Sequence, residues 1–174
     1  MTVTAPATRA RIDDGADPWW TATVESPIGP LVLEATAEAL TEIRLPDGGR
    51  ARLRAEGGAS GREPAPMRDA RRQLSEYFAG RRRAFDLPLE LTGTAFQRDV
   101  WWALADIAYG ETVSYAELAA MVGRPTAFRA VGQANGANPI PIVLPCHRVV
   151  ASGGRIGGYG GGLPVKRRLL ALEG

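Results

Sequence analysis

The sequence has little of what builds metal and disulfide sites: a single cysteine and a single histidine among 174 residues. One cysteine excludes an internal disulfide framework. One of each also argues against a structural Cys/His zinc site, since such sites need about four ligands. No metal and no cofactor is expected. Long hydrophobic runs are missing too, and none approaches the ~20 residues of a membrane-spanning helix. The first residues, "MTVTAPATRARIDDGADP", lack the apolar core of a signal peptide. These absences point to a cytoplasmic, reducing location with no membrane partner, where a lone thiol stays free. Nor is charge of one sign in large excess, the net being +2. Residues 1–90 hold 13 basic against 14 acidic side chains, and residues 91–174 hold 8 against 5. That asymmetry permits a polyanion partner for the C-terminal half without requiring one.

What is present fits a globular protein, with 45% hydrophobic and 23% charged residues. The length suits one large domain or two small ones. Residues 1–17 lack periodicity and are expected to form a disordered lead. Three strands are predicted at 19–26, 29–36 and 39–45, close enough in sequence for an antiparallel meander. Residues 46–63 are rich in Gly and charge and read as a loop. "APMRDARRQLSEYFAG" places Met67, Ala70, Leu74, Tyr77 and Phe78 at helical spacing, with Pro66 in its first turn and Gly80 as its stop. An N-terminal α+β domain is therefore expected over 18–90, and a second domain over 91–174. The Arg71-Arg72 and Arg81–Arg83 clusters read as solvated faces.

The second half is denser in helix signals. Thr94 with Gln97, and Ser114 with Glu117, are capping boxes opening two helices. "TAFRAVGQAN" predicts a third helix capped by Thr126. Two short helices joined by the Gly-containing turn at 123–125 have the form of a helix-turn-helix, although many helical hairpins bind no nucleic acid. A final helix is predicted over 164–173, with Pro164 at its start. "ASGGRIGGYGGGL" looks like a phosphate loop but matches neither G-x-x-x-x-G-K-[ST] nor G-x-G-x-x-G.

The lone cysteine and histidine are adjacent, in "NPIPIVLPCHRVV" (138–150). Taken alone, Cys146 reads as a small buried hydrophobe. A thiolate is also a strong nucleophile, which a neighbouring base can generate. The apolar run suggests buried extended chain, on which neighbouring side chains point to opposite faces. A direct Cys146–His147 bond is then not expected, and a bridging water is.

The stretch from Gly93 to Gly174 resembles the O6-alkylguanine-DNA alkyltransferases, or methylated-DNA–protein-cysteine methyltransferases. The resemblance rests on "GTAFQRDVW", "YGETVSYAELA", "FRAVGQANGANPIPIVLPCHRVV" and "GYGGGLPVKRRLLALEG"; residues before Gly93 match more loosely. It implies a ribonuclease H-like N-terminal domain and a winged-helix-like, helical C-terminal domain. It implies a single-use repair protein that takes the alkyl group from O6 of guanine onto Cys146. Its partner would be double-stranded DNA carrying O6-alkylguanine, bound by a monomer, with cooperative binding left open. By resemblance His147 is the base, Glu173 orients it, and Tyr115 donates to the leaving guanine. Arg129 fills the stack vacated by the extruded base, with Thr126, Ala127, Ala130, Asn135 and Gly136 also at the DNA. The pocket would be lined by Tyr115, Asn138, Pro141, Val149, Tyr159 and Gly160. Some members have serine where this chain has Gly160, so a side-chain hydroxyl contact to O6 is lost. Lys166 matches a family lysine without an assigned role. Competing readings are a lesion-binding relative that does not repair, a sequence-specific regulator and a Cys/His hydrolase.

Overall fold

The computed structural model describes residues 19–46 and 62–174, which divide into two compact units between Thr92 and Gly93. The expected lead at 1–17 and most of the loop at 46–63 lie outside the described residues.

In the first unit, β1 (Trp19–Val24), β2 (Leu31–Thr36) and β3 (Leu40–Arg44) form the expected antiparallel meander. Pairing runs from Trp19 opposite Thr36 to Val24 opposite Leu31. The alternating Leu31, Leu33 and Ala35 of the central strand are fully buried, as period-two patterning requires. Gly29 takes a φ of +104° at the β1–β2 turn, and a Cβ there would lie 2.7 Å from Pro46. Helix α1 (Ala65–Phe78) buries Met67, Ala70, Leu74 and Tyr77 against the sheet side. Gly80, at φ +70°, ends it as expected. The Gln73 amide then clamps Asp86, donating to its carbonyl and accepting from its N–H at 2.6 and 2.8 Å. Arg71, Arg72 and Arg82 pair with Glu63, Asp69 and Glu76 on the surface. Such exposed pairs add little stability.

The second unit contains α2 (Ala95–Leu104), β4 (Val113–Ser114), α3 (Tyr115–Met121), α4 (Phe128–Gly136), β5 (Val149–Val150) and α5 (Gly162–Glu173). Both predicted capping boxes form, closing α2 and α3 at their N-termini; each is worth about 1 kcal/mol. Helices α2, α3 and α4 pack on one another, and Trp101 Nε1 donates to the Ala134 carbonyl at 2.8 Å to lock α2 onto α4. Strands β4 and β5 pair in parallel, Val113 with Val149.

Three local expectations need correction. Helix α4 starts at Phe128 with Ala127 as its N-cap and no side-chain cap, so Thr126 does not cap it. The chain is turning there, with the Ala127 N–H on the Arg124 carbonyl. Helix α5 starts two residues earlier than expected, and Pro164 lies within its first turn, where its missing N–H costs nothing. The run before Cys146 is not extended chain. Leu144 N–H closes a turn onto Ile140, and Cys146–Arg148 is a single 3-10 turn. Pro139, Pro141 and Pro145 remove the donors that a ladder would need.

Candidate active site

Asn138 follows α4 and organises the turn before the cysteine. Its amide donates to the Leu144 carbonyl at 2.7 Å and accepts from Ile140 N–H at 3.0 Å. Inside that turn Ile142 holds a φ of +77° while fully buried. A β-branched residue in that region is strained by roughly 1–3 kcal/mol. The surrounding bonds and burial hold it there, and the chain delivers Cys146 into a 3-10 turn capped by Pro145.

Cys146 is 5% exposed. Burial pushes its thiol above the ordinary range; hydrogen bonding from the Asn138 and Tyr159 side chains and the Lys166 charge pull it back. At rest the sulfur is therefore a protonated thiol, and a base must assist it. His147 is wholly buried. Its Nε2 lies 2.8 Å from Glu173 Oε1, while its Nδ1 is buried without a hydrogen-bond partner. Burial also holds the imidazole below its ordinary value, against the raising influence of Glu173.

Glu173 is the penultimate residue, yet it is buried. Arg148 grips it with two bonds, Nε to Oε2 at 2.7 Å and Nη2 to Oε1 at 2.9 Å, and gives its third donor to the Ile107 carbonyl at 2.6 Å. The Tyr109 hydroxyl donates to the Leu172 carbonyl at 2.9 Å, and Gly110 N–H reaches Glu173 Oε2 at 3.3 Å. The turn after α2 thus docks the last turn of α5. Lys166, the single lysine of the chain, is buried and donates to the Val149 carbonyl at 2.6 Å, with Gly157 and Gly158 carbonyls at 3.4 and 3.5 Å. It ties α5 to β5 and to the glycine-rich segment.

Tyr115 opens α3 between α4 and that segment: a Cβ on Gly132 would lie 3.6 Å from its ring, and one on Gly157 3.1 Å. Burial raises its phenol pKa, and a Cys146 thiolate raises it further once formed, so it stays a proton donor. Pro141 and Val149 are buried, and Gly160 is exposed with open space where a side chain would be. Of the residues expected at DNA, Thr126, Arg129, Ala130 and Gly136 are exposed and Ala127 is half-buried. Asn135 is instead buried, with its amide 3.5 Å from the Cys146 carbonyl. It supports the cysteine turn from inside and does not reach the outer face of α4. A cavity of about 470 Å³ is lined by Thr112, Ser114, Glu117, Val150 and residues 151–154, and Cys146 is not part of its lining.

Sequence reasoning missed the grip of Arg148 on Glu173 and the carbonyl cluster under Lys166. Arg148 lies in the quoted motif, but its partner is 25 residues away, and no local spacing couples them. It also missed Phe128, which is 48% exposed beside Arg129.

Residues 95–174 match the family model of the 6-O-methylguanine DNA methyltransferase DNA binding domain, and residues 20–91 match that of its ribonuclease-like domain. The chain is 50% identical over 153 residues to a methylated-DNA–protein-cysteine methyltransferase of Mycolicibacterium paratuberculosis, covering 87% of this chain and 90% of that one. It is 46% identical over 151 residues to the protein of that name from Methanosarcina barkeri, covering 86% and 94%. Among solved structures, a Mycobacterium tuberculosis OGT in complex with DNA superposes with a TM-score of 0.81 at 47% identity, covering 88% of this chain and 92% of that one. The O6-methylguanine methyltransferase of the same organism gives 0.80 at 46%, covering 89% and 92%. With both halves matched and half of the aligned residues identical, the chain belongs to the methylated-DNA–protein-cysteine methyltransferase family.

Proposed function

We propose that the protein repairs O6-alkylguanine in double-stranded DNA by moving the alkyl group, chiefly methyl, irreversibly onto Cys146. The observation that carries this reading is the buried thiol next to an imidazole whose far nitrogen is held by Glu173. With Nε2–H donated to Glu173, Nδ1 is the free acceptor. It takes the Cys146 proton through a bridging water, because the 3-10 turn presents no direct bond between the neighbours. Glu173 stabilises the imidazolium that forms, as the acid of a triad does. The thiolate then attacks the alkyl carbon. The S–C bond forms, the C–O6 bond breaks, and its electron pair leaves with guanine. Tyr115 donates to the departing base and offsets its developing charge. The product is a thioether, which cannot return to a thiol, so the protein acts once.

The reacting carbon lies inside a duplex, so the nucleotide must be extruded at a cost of a few kcal/mol. Exposed Arg129 on α4 suits the vacated place, since a guanidinium stacks and hydrogen-bonds at once. Thr126, Ala127, Ala130 and Gly136 provide the surface beside it. Tyr159, Asn138, Pro141, Val149 and the side-chain-free Gly160 frame the pocket. We take the protein to act as a cytoplasmic monomer. No helix among the described residues is long and apolar enough to cross a membrane. A reading as a lesion binder without transfer leaves the thiol and its relay unused. The test is stoichiometry: mixed with excess O6-methylguanine duplex, the protein should demethylate one equivalent and stop. Continued turnover, or equal activity in Cys146→Ala, would sink the proposal.

A further inference from the structure

Each oxygen of Glu173 is approached by two nitrogens. Oε1 takes His147 Nε2 and Arg148 Nη2; Oε2 takes Arg148 Nε and the Gly110 N–H. A carboxylate has about four lone-pair sites, and here donors face both oxygens. Three of the four nitrogens are N–H groups that donate whatever the protonation state, which favours an ionised Glu173 and makes His147 Nε2 the fourth donor. Arg148 contributes two of those four donors and the opposite charge. Its own geometry is over-determined by the Ile107 carbonyl and by the Tyr109 ring, 5.7 Å from the guanidinium.

The geometry points to Arg148 as a positioning residue of the alkyl transfer: it fixes Glu173 as an immobile, ionised acceptor and thereby sets His147 as the neutral Nε2–H tautomer with Nδ1 bare. This rests on the proposed transfer for its purpose, though not for its test. The charged and titratable groups around His147 are Glu173 and Lys166 from α5, and Cys146 and Arg148 from its own turn. Burial depresses the imidazole most; Glu173 raises it; Arg148 and Lys166 lower it. Without Arg148, an unneutralised carboxylate would draw a proton onto His147 before the thiol could supply one. A lysine at the same place would keep the charge and lose the planar fork.

The single imidazole makes the experiment direct, because untagged 15N-labelled protein gives one pair of ring-nitrogen resonances. In the parent protein near neutral pH, Nε2 should be protonated and Nδ1 not. Arg148→Met should raise the His147 titration midpoint by roughly one pH unit or more and mix its tautomers. Its single-turnover transfer rate should fall roughly tenfold or more, with affinity for unmodified duplex unchanged. Arg148→Lys should return the midpoint close to that of the parent while transfer stays slow. A parent-like midpoint and tautomer in Arg148→Met would reduce Arg148 to a structural tie and overturn the inference. If Arg148→Met does not fold, Arg148→Lys decides: slow transfer supports the inference, and parent-like rate and tautomer overturn it. The nuclear resonance readout needs no DNA, so a failure of the repair reading would be seen separately.

Discussion

His147 Nε2 and Glu173 Oε1 lie 2.8 Å apart, with both side chains withdrawn from solvent. The same carboxylate carries the Arg148 guanidinium, so the three residues form one buried charged cluster. Glu173→Gln preserves the shape and removes the charge. Arg148 is then a buried cation without a counter-ion, and losing one partner of such a pair costs about 3–5 kcal/mol. The expected outcome is a fall of that size in unfolding free energy, read from urea denaturation. A change below about 1 kcal/mol would mean that the pair behaves as an exposed one.

The depressed imidazole ties stability to pH. In the folded state His147 resists protonation, whereas in the unfolded chain it titrates near its ordinary value. The unfolded state therefore binds more protons in that range. The contribution is complete above about pH 6.5 and is lost progressively as the pH falls. Between about pH 7.5 and 5.5, the urea midpoint of the parent protein should drop. That of His147→Gln should drop less over the same range.

Gly157 is a test of crowding at the site. A Cβ there would approach Tyr115 Cε2 and Oη to 3.1 Å, so the ring must give way by a few tenths of an ångström. Gly157→Ala should slow single-turnover transfer by about tenfold and leave melting within a few degrees. Gly160→Ser is the control: its side chain enters open space, and stability should stay within about 0.5 kcal/mol.

Local signals were legible in the sequence where a motif closes on itself. Thr94–Gln97 and Ser114–Glu117 need three residues of separation and nothing else, and both boxes form. The β meander and the stripe of α1 follow from periods of two and of about 3.6. The cysteine turn was misread because an apolar run looks the same in a strand and in a proline-rich buried turn. Arg148 and Lys166 were opaque for another reason. Their partners are a carboxylate and carbonyls that only the tertiary fold brings near, and a carbonyl has no signature in sequence. Asn135 shows the same limit, since an asparagine on a helix does not say which face it occupies.

Arg129 is exposed on α4, where a substitution should change stability by no more than about 0.5 kcal/mol. Arg129→Ala should nonetheless weaken binding to the lesion duplex and slow extrusion of the base, followed with a fluorescent base analogue beside the lesion. Unchanged extrusion would remove Arg129 from the interface and leave the neighbouring exposed Phe128 as the residue to test next.

The most direct measurement is the mass of the peptide containing Cys146 after incubation with an O6-methylguanine duplex. One methyl on the sulfur adds about 14 Da, the mass of CH2. The expected result is that gain on Cys146 alone, in step with loss of the lesion from DNA and absent in Cys146→Ala. Loss of the lesion with an unmodified Cys146, or no loss with freshly reduced protein, would contradict alkyl transfer to this cysteine.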